Sequence, residues 1–386
     1  MNPFILLFKL FASFGMAVVL LILMFFVILF GTFYQVDHGL HEAQKMYFDS
    51  MIVMHRMGPL VIPLPGAYLI MALLAVNLLC GGFIRIRKDK STVGILITHA
   101  GIAVLLISGA ITFHYAERGN MRLFEGQTSS EFSSYYDWTI EIGDFGTLDD
   151  FLTIADSAIK DLDDRESRTF YTDELPFDVA VSSYHKNTVP MIAGPHITGV
   201  KKVVDGYYLR SLEPEQEAEM NVPGYYVTIT DKASGDVTEG ILWGLSQEPL
   251  TVTSDGKDWS INLSRKRWVV PFTITLDEFI HELHAGTTMA ASYESYVTKT
   301  ENGNKDVIRI WMNHPLRHKG YTFFQASWGR ESSMRGNPVF SVFSVVRNPA
   351  DQGPLYACII VSIGMLLHFG QKLLSYMKAE SRRRTT

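Results

Sequence analysis

The sequence predicts a membrane protein: four transmembrane α-helices plus a large antiparallel, β-rich, sandwich-like extracytoplasmic domain. Three observations lead there. Long apolar runs crowd both ends of the 386-residue chain, which is 47% apolar overall, while its middle is ordinary polar sequence. Four of those runs reach the roughly twenty residues needed to cross a bilayer. Between the third and fourth lie many short strand-like runs separated by turn signals, the pattern of an antiparallel sandwich.

The first run covers about 10–30, broken only by Ser13 and Gly15. It has no small-x-small cleavage site and reads as an anchor rather than a removed signal peptide. The others cover about 65–84, 92–113 and 354–372. Lys9 precedes the first span, and Arg85, Arg87, Lys88 and Lys90 join the second to the third. Lys378, Arg382, Arg383 and Arg384 form the tail. With four spans these clusters fall on one side, which the positive-inside rule makes cytoplasmic. The expected division is therefore 1–113 with three spans and an outer loop 31–64, an extracytoplasmic domain 114–353, and 354–386 with the last span and a basic tail. The expected location is the cell (inner) membrane, multi-pass, with both termini cytoplasmic.

The middle opens on an acidic stretch, Leu148-Asp149-Asp150-Phe151-Leu152 to Asp161-Leu162-Asp163-Asp164, which reads as one helix and a loop. Strands follow. Tyr225 to Thr230 runs into the turn Ala233-Ser234-Gly235-Asp236, and Asp255-Gly256 leads into Trp259 to Leu263. Phe272 to Leu276 alternates, and Glu301-Asn302-Gly303-Asn304 joins Tyr296-Val297 to Val307 to Met312 as a hairpin. Tyr321 to Gln325 and Val339 to Val345 complete the set.

Composition excludes several classes. A net charge of −6 and a pI of about 6.1 give no basic field for nucleic acid. Two cysteines, Cys80 and Cys358, lie in apolar runs near opposite membrane faces, so they form no disulfide framework and no C-x-x-C motif. There is no nucleophile elbow, phosphate loop or paired-carboxylate constellation, so no catalysis by this chain alone is expected. His281-Glu282-Leu283-His284 spaces its histidines three apart after an alternating run, not four apart on a helix, and reads as an exposed strand end rather than a metal site. His185 and His196 sit in loop-like sequence near Pro190 and Pro195.

His99 stands apart because of its medium. It lies inside the third span, about seven residues from the cytoplasmic end, or about 10 Å deep at 1.5 Å per residue. An imidazole in hydrocarbon needs a partner. Gly94, Thr98, Gly101 and Ser108 form a small-residue stripe nearby that lets another helix approach. Two readings stand: a helix–helix hydrogen bond, or an axial ligand to haem iron, which neutral imidazole suits. His368 sits near the cytoplasmic end of the fourth span and either snorkels to the headgroups or serves as a second intramembrane ligand. His38, His41 and His55 in the outer segment read as exposed loop residues or as an outer ligand contact.

Several stretches together resemble the ResB family, also called CcsB, of System II cytochrome c biogenesis proteins. They are Phe11-Ala12-Ser13, Gly31-Thr32 with Gln35, Asn77-Leu78-Leu79-Cys80 with Arg85, Thr98-His99-Ala100-Gly101, and Leu123-Phe124-Glu125-Gly126-Gln127. Most specific are Met312-Asn313-His314-Pro315-Leu316 and Gly320-Tyr321-Thr322-Phe323-Phe324-Gln325-Ala326-Ser327-Trp328, followed by Phe343-Ser344-Val345. The resemblance covers the chain in order. It implies a subunit that joins a CcsA/ResC-like membrane subunit, helps carry haem b outward across the bilayer and presents it to apocytochrome c for thioether attachment. Thiol-reducing proteins of the pathway keep that apocytochrome's C-x-x-C-H reduced. It implies that His99 is the family's intramembrane haem-iron ligand, transiently shared with the partner subunit, to which the tryptophan-rich haem-handling domain belongs. It also implies membership of a cytochrome c synthase (haem lyase) complex. The alternative is a non-haem-binding assembly scaffold or apocytochrome chaperone. The chain departs from the family at Phe48 to His55, where an aromatic-rich stretch is usual, and at Asn348 to Gly353, in place of a tighter Asp-Pro-Gly-like turn. The basic residues 85–90 set topology or attract haem propionates.

Overall fold

The computed structural model of the chain describes residues 3–145, 151–162, 166–194, 202–284, 286–287, 290–331 and 336–385. Leu148, the acidic positions Asp149, Asp150, Asp163 and Asp164, and His196 lie outside the described residues. The chain divides into two compact units, Met1–Ala116 with Asn348–Thr386, and Glu117–Arg347. These boundaries fall a few residues from the sequence-based ones at 113 and 353.

In the first unit, α1 (Pro3–Phe11) is separated from α2 (Phe14–His38) by a break at Ala12-Ser13. Ser13 caps α2, its hydroxyl accepting from the Met16 amide at 3.1 Å. The outer loop expected over 31–64 is instead largely regular structure. Nothing stops α2 at Gly31-Thr32: the Thr32 hydroxyl turns back to the Ile28 carbonyl at 2.8 Å, and the helix ends only at Gly39, whose φ of 79° suits glycine. Then come α3 (Leu40–Ala43), a π-helical turn Gln44–Phe48, and a hairpin of β1 (Ile52–Met57) on β2 (Leu60–Pro65). Next, α4 (Ala67–Asn77) continues without a gap into a π-helical segment, Leu78–Arg85, and α5 covers Val93–Tyr115. Finally, α6 (Gly353–Thr385) outruns its expected end at 372, because Lys378, Ala379, Glu380 and the arginines after them are good helix formers. Among the described residues, four helices are long and apolar enough to cross a membrane: α2, α4 with its π-helical extension, α5 and α6.

The small-residue stripe does what the sequence predicts. Gly94, Gly101 and Ser108 are buried, and α6 packs antiparallel along them. A Cβ on Gly94 would lie 2.6 Å from the His368 amide nitrogen, and one on Gly364 would lie 2.5 Å from that of Thr98. The two backbones touch, which gains dispersion along the whole contact. Elsewhere, α2, α4 and the hairpin share a core of Leu20, Val27, Tyr47, Val53, Ala67 and Ile70.

The second unit is antiparallel β throughout its described pairings. Its strands are β3 (Glu117–Phe124), β4 (Thr128–Asp144), β5 (Phe151–Ala155), β6 (Ser167–Phe170), β7 (Phe177–His185) and β8 (Thr188–Ile192). They continue as β9 (Tyr207–Ser211), β10 (Gly224–Asp231), β11 (Val237–Trp243), β12 (Leu250–Ser254), β13 (Lys257–Leu283) and β14 (Ala290–Glu301). The last are β15 (Asn304–Trp311), β16 (Leu316–His318), β17 (Tyr321–Arg330) and β18 (Val339–Arg347). One sheet runs β15-β14-β13-β4-β3-β18-β17-β16, with β12 and β5 paired on β13 and β4; a smaller one runs β11-β10-β7-β6.

Three expectations are corrected here. The described part of the acidic stretch is β5 and a single 3-10 turn, Asp156–Ala158, because Phe151 to Ile154 alternates and pairs with β4. His185 is the last residue of β7, not a loop residue. Trp259 to Leu263 and Phe272 to Leu276 belong to one strand, β13. No turn residue separates them, and Pro271, which cannot donate to the ladder, falls where the pairing with β4 shifts register between Val269 and Ile274.

Long β4 and β13 serve two cores. Near one end, Ile140, Ile142, Ile261 and Leu263 face Phe177, Val179, Tyr225 and Val227 of the smaller sheet, a true sandwich. Near the other, Phe132, Ile274, Leu276, Val297 and Ile310 meet Leu123, Phe323, Phe343 and Val345 of the same large sheet, which therefore curls over itself. The sandwich expectation holds for the first core and gives way to a curled sheet at the second.

Replacing Gly364 with leucine is expected to prise α6 from α5 and cost about 1–3 kcal/mol, while leucine at Gly370, which has open space around it, costs little; thermal unfolding of the detergent-solubilised chain measures both. In the turn after β10, the Asp231 carboxylate accepts from the Ser254 hydroxyl and from the amides of Ser234 and Ala233, and these bonds hold its pKa down at about 2. A carboxyl whose pKa is depressed in the fold stabilises it above the ordinary carboxylate range and loses that contribution as pH falls toward 2. Asp231→Asn is thus expected to be less stable than wild type at neutral pH and to show a shallower acid-side fall, read by unfolding midpoints between pH 5 and pH 2.

Candidate functional site

His99 sits two turns into α5, half-buried against the π-helical extension of α4. Its Nδ1 lies 3.2 Å from the Gly82 carbonyl oxygen. A carbonyl only accepts, so Nδ1 carries the proton and donates. The neutral ring then holds a bare lone pair at Nε2, the tautomer of a metal-ligating histidine oriented by a carbonyl. The contact exists because residue 82 is glycine: a Cβ there would come within 2.7 Å of Nδ1. The Phe83 ring meets the imidazole edge to face, with centroids 6.3 Å apart. The partner is therefore a backbone acceptor, not a neighbouring hydroxyl.

The π-helical segment that offers this carbonyl is itself anchored. Asn77 Nδ2 donates to the carbonyls of Phe11 (2.6 Å) and Ser13 (3.1 Å), and the Arg85 guanidinium donates to that of Ala12 (2.9 Å). The break between α1 and α2 exposes these acceptors, and residues at the two ends of the π-helical segment satisfy them. Arg85 is thus engaged at this break.

The structure does not bring His368 to His99. His368 faces Gly94 through its backbone, and its ring contacts Phe369 on its own helix. His99 turns toward Gly82 instead. His368 lies half-buried near the middle of α6.

At the far end of the same unit, the outer histidines meet structure rather than loop. His38 closes α2, its Nδ1 3.2 Å from the Tyr34 carbonyl and its ring stacked on Tyr34 with centroids 3.9 Å apart. His55, on β1, is stacked on Phe30 (4.5 Å) and bonded through Nδ1 to the Tyr47 hydroxyl at 2.5 Å. Burial raises the Tyr47 phenol above its ordinary pKa, so the hydroxyl keeps its proton. A cavity of about 670 Å³ opens here, lined by Phe33, Met46, Met54, Asp37 and Arg56 besides these rings. His41, on α3, is half-buried and not among its lining residues.

In the β unit, the longest motif splits between core and surface. Leu316, Tyr321 and Phe323 enter the second core. Gln325 joins Ser295 and Ser341 in a buried polar network, at 2.6 and 2.9 Å. Met312 is exposed and Trp328 half-buried, the latter stacked on Phe279 (5.4 Å) and tilted against His281 (4.4 Å). His314 stacks on Trp311 at 4.1 Å. Leu123 to Gln127 forms the turn that supports this face: Gly126 donates to the Leu276 carbonyl, and Glu125 Oε1 accepts from the Phe279 amide. His281 is thus an aromatic contact at a strand end, and among the described residues no group of three or more histidine, cysteine or acidic side chains could hold a metal ion.

Residues 250–341 match the model of the ResB-like family. Protein NrfI of Wolinella succinogenes is 22% identical over 330 residues, covering 83% of this chain and 31% of that protein. The chain thus spans about a third of the length of this relative. Both matches are likenesses to the ResB-like family, the family model over residues 250–341 and the relative over most of the chain.

Sequence reading found His99 but not its acceptor; the only trace of the Gly82 contact was a Gly81-Gly82 pair inside an apolar run. Gly82→Ala is expected to cost about 1–3 kcal/mol by displacing the imidazole. In a His99→Ala background most of that cost should vanish, because the clash is with the ring, and a double-mutant cycle of unfolding free energies reads the coupling.

Proposed function

We propose that this chain is a haem-handling subunit of the cytochrome c biogenesis machinery, and that His99 Nε2 binds the iron of haem b in transit. The single observation that carries this reading is the bond from His99 Nδ1 to Gly82, which points the ring's proton at protein and leaves the opposite nitrogen basic. The likeness to the ResB-like family over residues 250–341 and the four apolar helices support placement in the inner membrane with both termini cytoplasmic and Glu117–Arg347 outside. Haem iron already has four equatorial nitrogens, so one imidazole from this chain and one from a CcsA/ResC-like partner complete its coordination. The chain's own chemistry is then to bind and orient. The ring supplies a lone pair, Gly82 fixes its tautomer, and Arg87, Lys88 and Lys90 lie in the segment before α5, where cations attract propionates. Thioether formation on apocytochrome c belongs to the assembled synthase, and thiol-reducing proteins supply the reduced cysteines.

A second reading is favoured by the aromatic face of Phe279, His281 and Trp328, which can hold an apocytochrome segment or the partner in an assembly scaffold. Coexpression with the partner and an apocytochrome separates the two. His99→Ala is expected to lower covalently attached haem, read by haem staining, by about ten-fold or more, the usual cost of losing support at a metal site. Full attachment in that variant, with Trp328→Ala abolishing it, would leave only the scaffold.

A further inference from the structure

We propose that the cavity between the end of α2 and the β1–β2 hairpin is a second site for a metalloporphyrin, with His38 Nε2 as axial ligand and Arg56 facing the porphyrin carboxylates. The inference rests on the haem-handling reading but concerns different residues. Tyr68 bonds His114 near the end of α5, and Ala67 shares a core with Tyr47, so the cavity lies at the His114 end of the helices. That is fifteen residues along α5 from His99, or about 22 Å.

Four features of the cavity select the ligand. Its volume, about 670 Å³, falls within the roughly 300–1,000 Å³ usual for organic ligands. Its walls are flat and aromatic, from Phe30, Phe33, Tyr34 and Tyr47, so they suit a flat apolar body. His38 Nδ1 donates to the Tyr34 carbonyl one turn back, which leaves Nε2 as a lone pair, the same arrangement as at His99. Two histidines and one aspartate line the wall, yet the described residues include no cluster able to hold a bare metal ion. A metal whose equatorial positions are already filled needs only one or two axial nitrogens, and that condition selects a metalloporphyrin over a free cation. Arg56, exposed on the hairpin, supplies the cation that the ligand's carboxylates require. A quinone would use the aromatic walls but leave the His38 lone pair and Arg56 without a role.

The test uses the full chain in detergent, with His99→Ala as the background so that the intramembrane ligand is absent. Ferric haem titrated onto this variant is expected to bind at one equivalent with a histidine-ligated spectrum. Adding His38→Ala should weaken binding at least ten-fold. His38→Met should retain binding with an altered Soret band, which excludes mere misfolding. Arg56→Gln should weaken haem several-fold but leave the affinity for haem dimethyl ester unchanged. The inference is overturned if the His99→Ala chain binds no haem, if His38→Ala binds as its parent does, or if menadione binds the cavity and haem does not. Wild type that binds haem only through His99 would overturn this site alone, whereas the thioether assay judges the haem-handling reading independently.

Discussion

One hydrogen bond organises the first unit: an imidazole in an apolar helix donates to the carbonyl of a glycine on its neighbour. Such a bond contributes only about 1 kcal/mol, so its importance is directional rather than energetic. It decides which nitrogen carries the proton. The surroundings keep that choice in place. Asn77 and Arg85 hold the π-helical segment against the break before α2, and the absence of a side chain at Gly82 lets the ring approach. On other faces of α5, Gly94, Thr98 and Gly101 bring α6 to backbone contact, so α5 has little freedom to rotate. The ring's orientation is thus a property of three packed helices.

The β unit solves a different problem. Its two longest strands, β4 and β13, each contribute to two cores, and the register shift near Pro271 is where one core passes to the other. Strand periodicity then sorts the residues of the segment Met312 to Trp328. Tyr321 and Phe323 point inward, while the bulge between Gln325 and Ser327 re-aims the chain so that Trp328 joins His281 and Phe279. The same segment therefore stabilises the fold and presents an aromatic surface, two roles separated by a single residue's alternation.

What the sequence made legible follows from the strength of each signal. Apolar length exposed the four helices, because apolar residues seldom run on for a bilayer's thickness in a domain surrounded by water. Glycine spacing exposed the α5–α6 contact. The Asn302-Gly303 and Asp255-Gly256 turns were readable because positive φ at both positions selects those residue types, and the structure places all four there. Helix ends were less readable. Gly31-Thr32 looks like a stop but costs α2 little, and the true end at Gly39 carries no stronger mark. Residues 151–155 were misread because the acidic charge around them obscured an alternation only five residues long. At the site, His99 stood out through the cost of its medium, whereas Gly82 could not, since a backbone acceptor leaves no side-chain signature. The aromatic pocket around His38 and His55 was hidden for a related reason: its rings come from a helix, a π-helical turn and a hairpin, and no local spacing joins them.

The proposed haem chemistry turns on one proton on one ring. Nitrogen-15 NMR of the histidine-labelled chain in bilayers, with the His99 signals assigned by difference from His99→Ala, reports the tautomer directly. A protonated Nδ1 and a bare Nε2 are predicted at neutral pH, with the Nε2 resonance selectively lost when ferric haem is added with the partner subunit. A proton on Nε2, or an Nε2 signal indifferent to haem, would contradict the assignment.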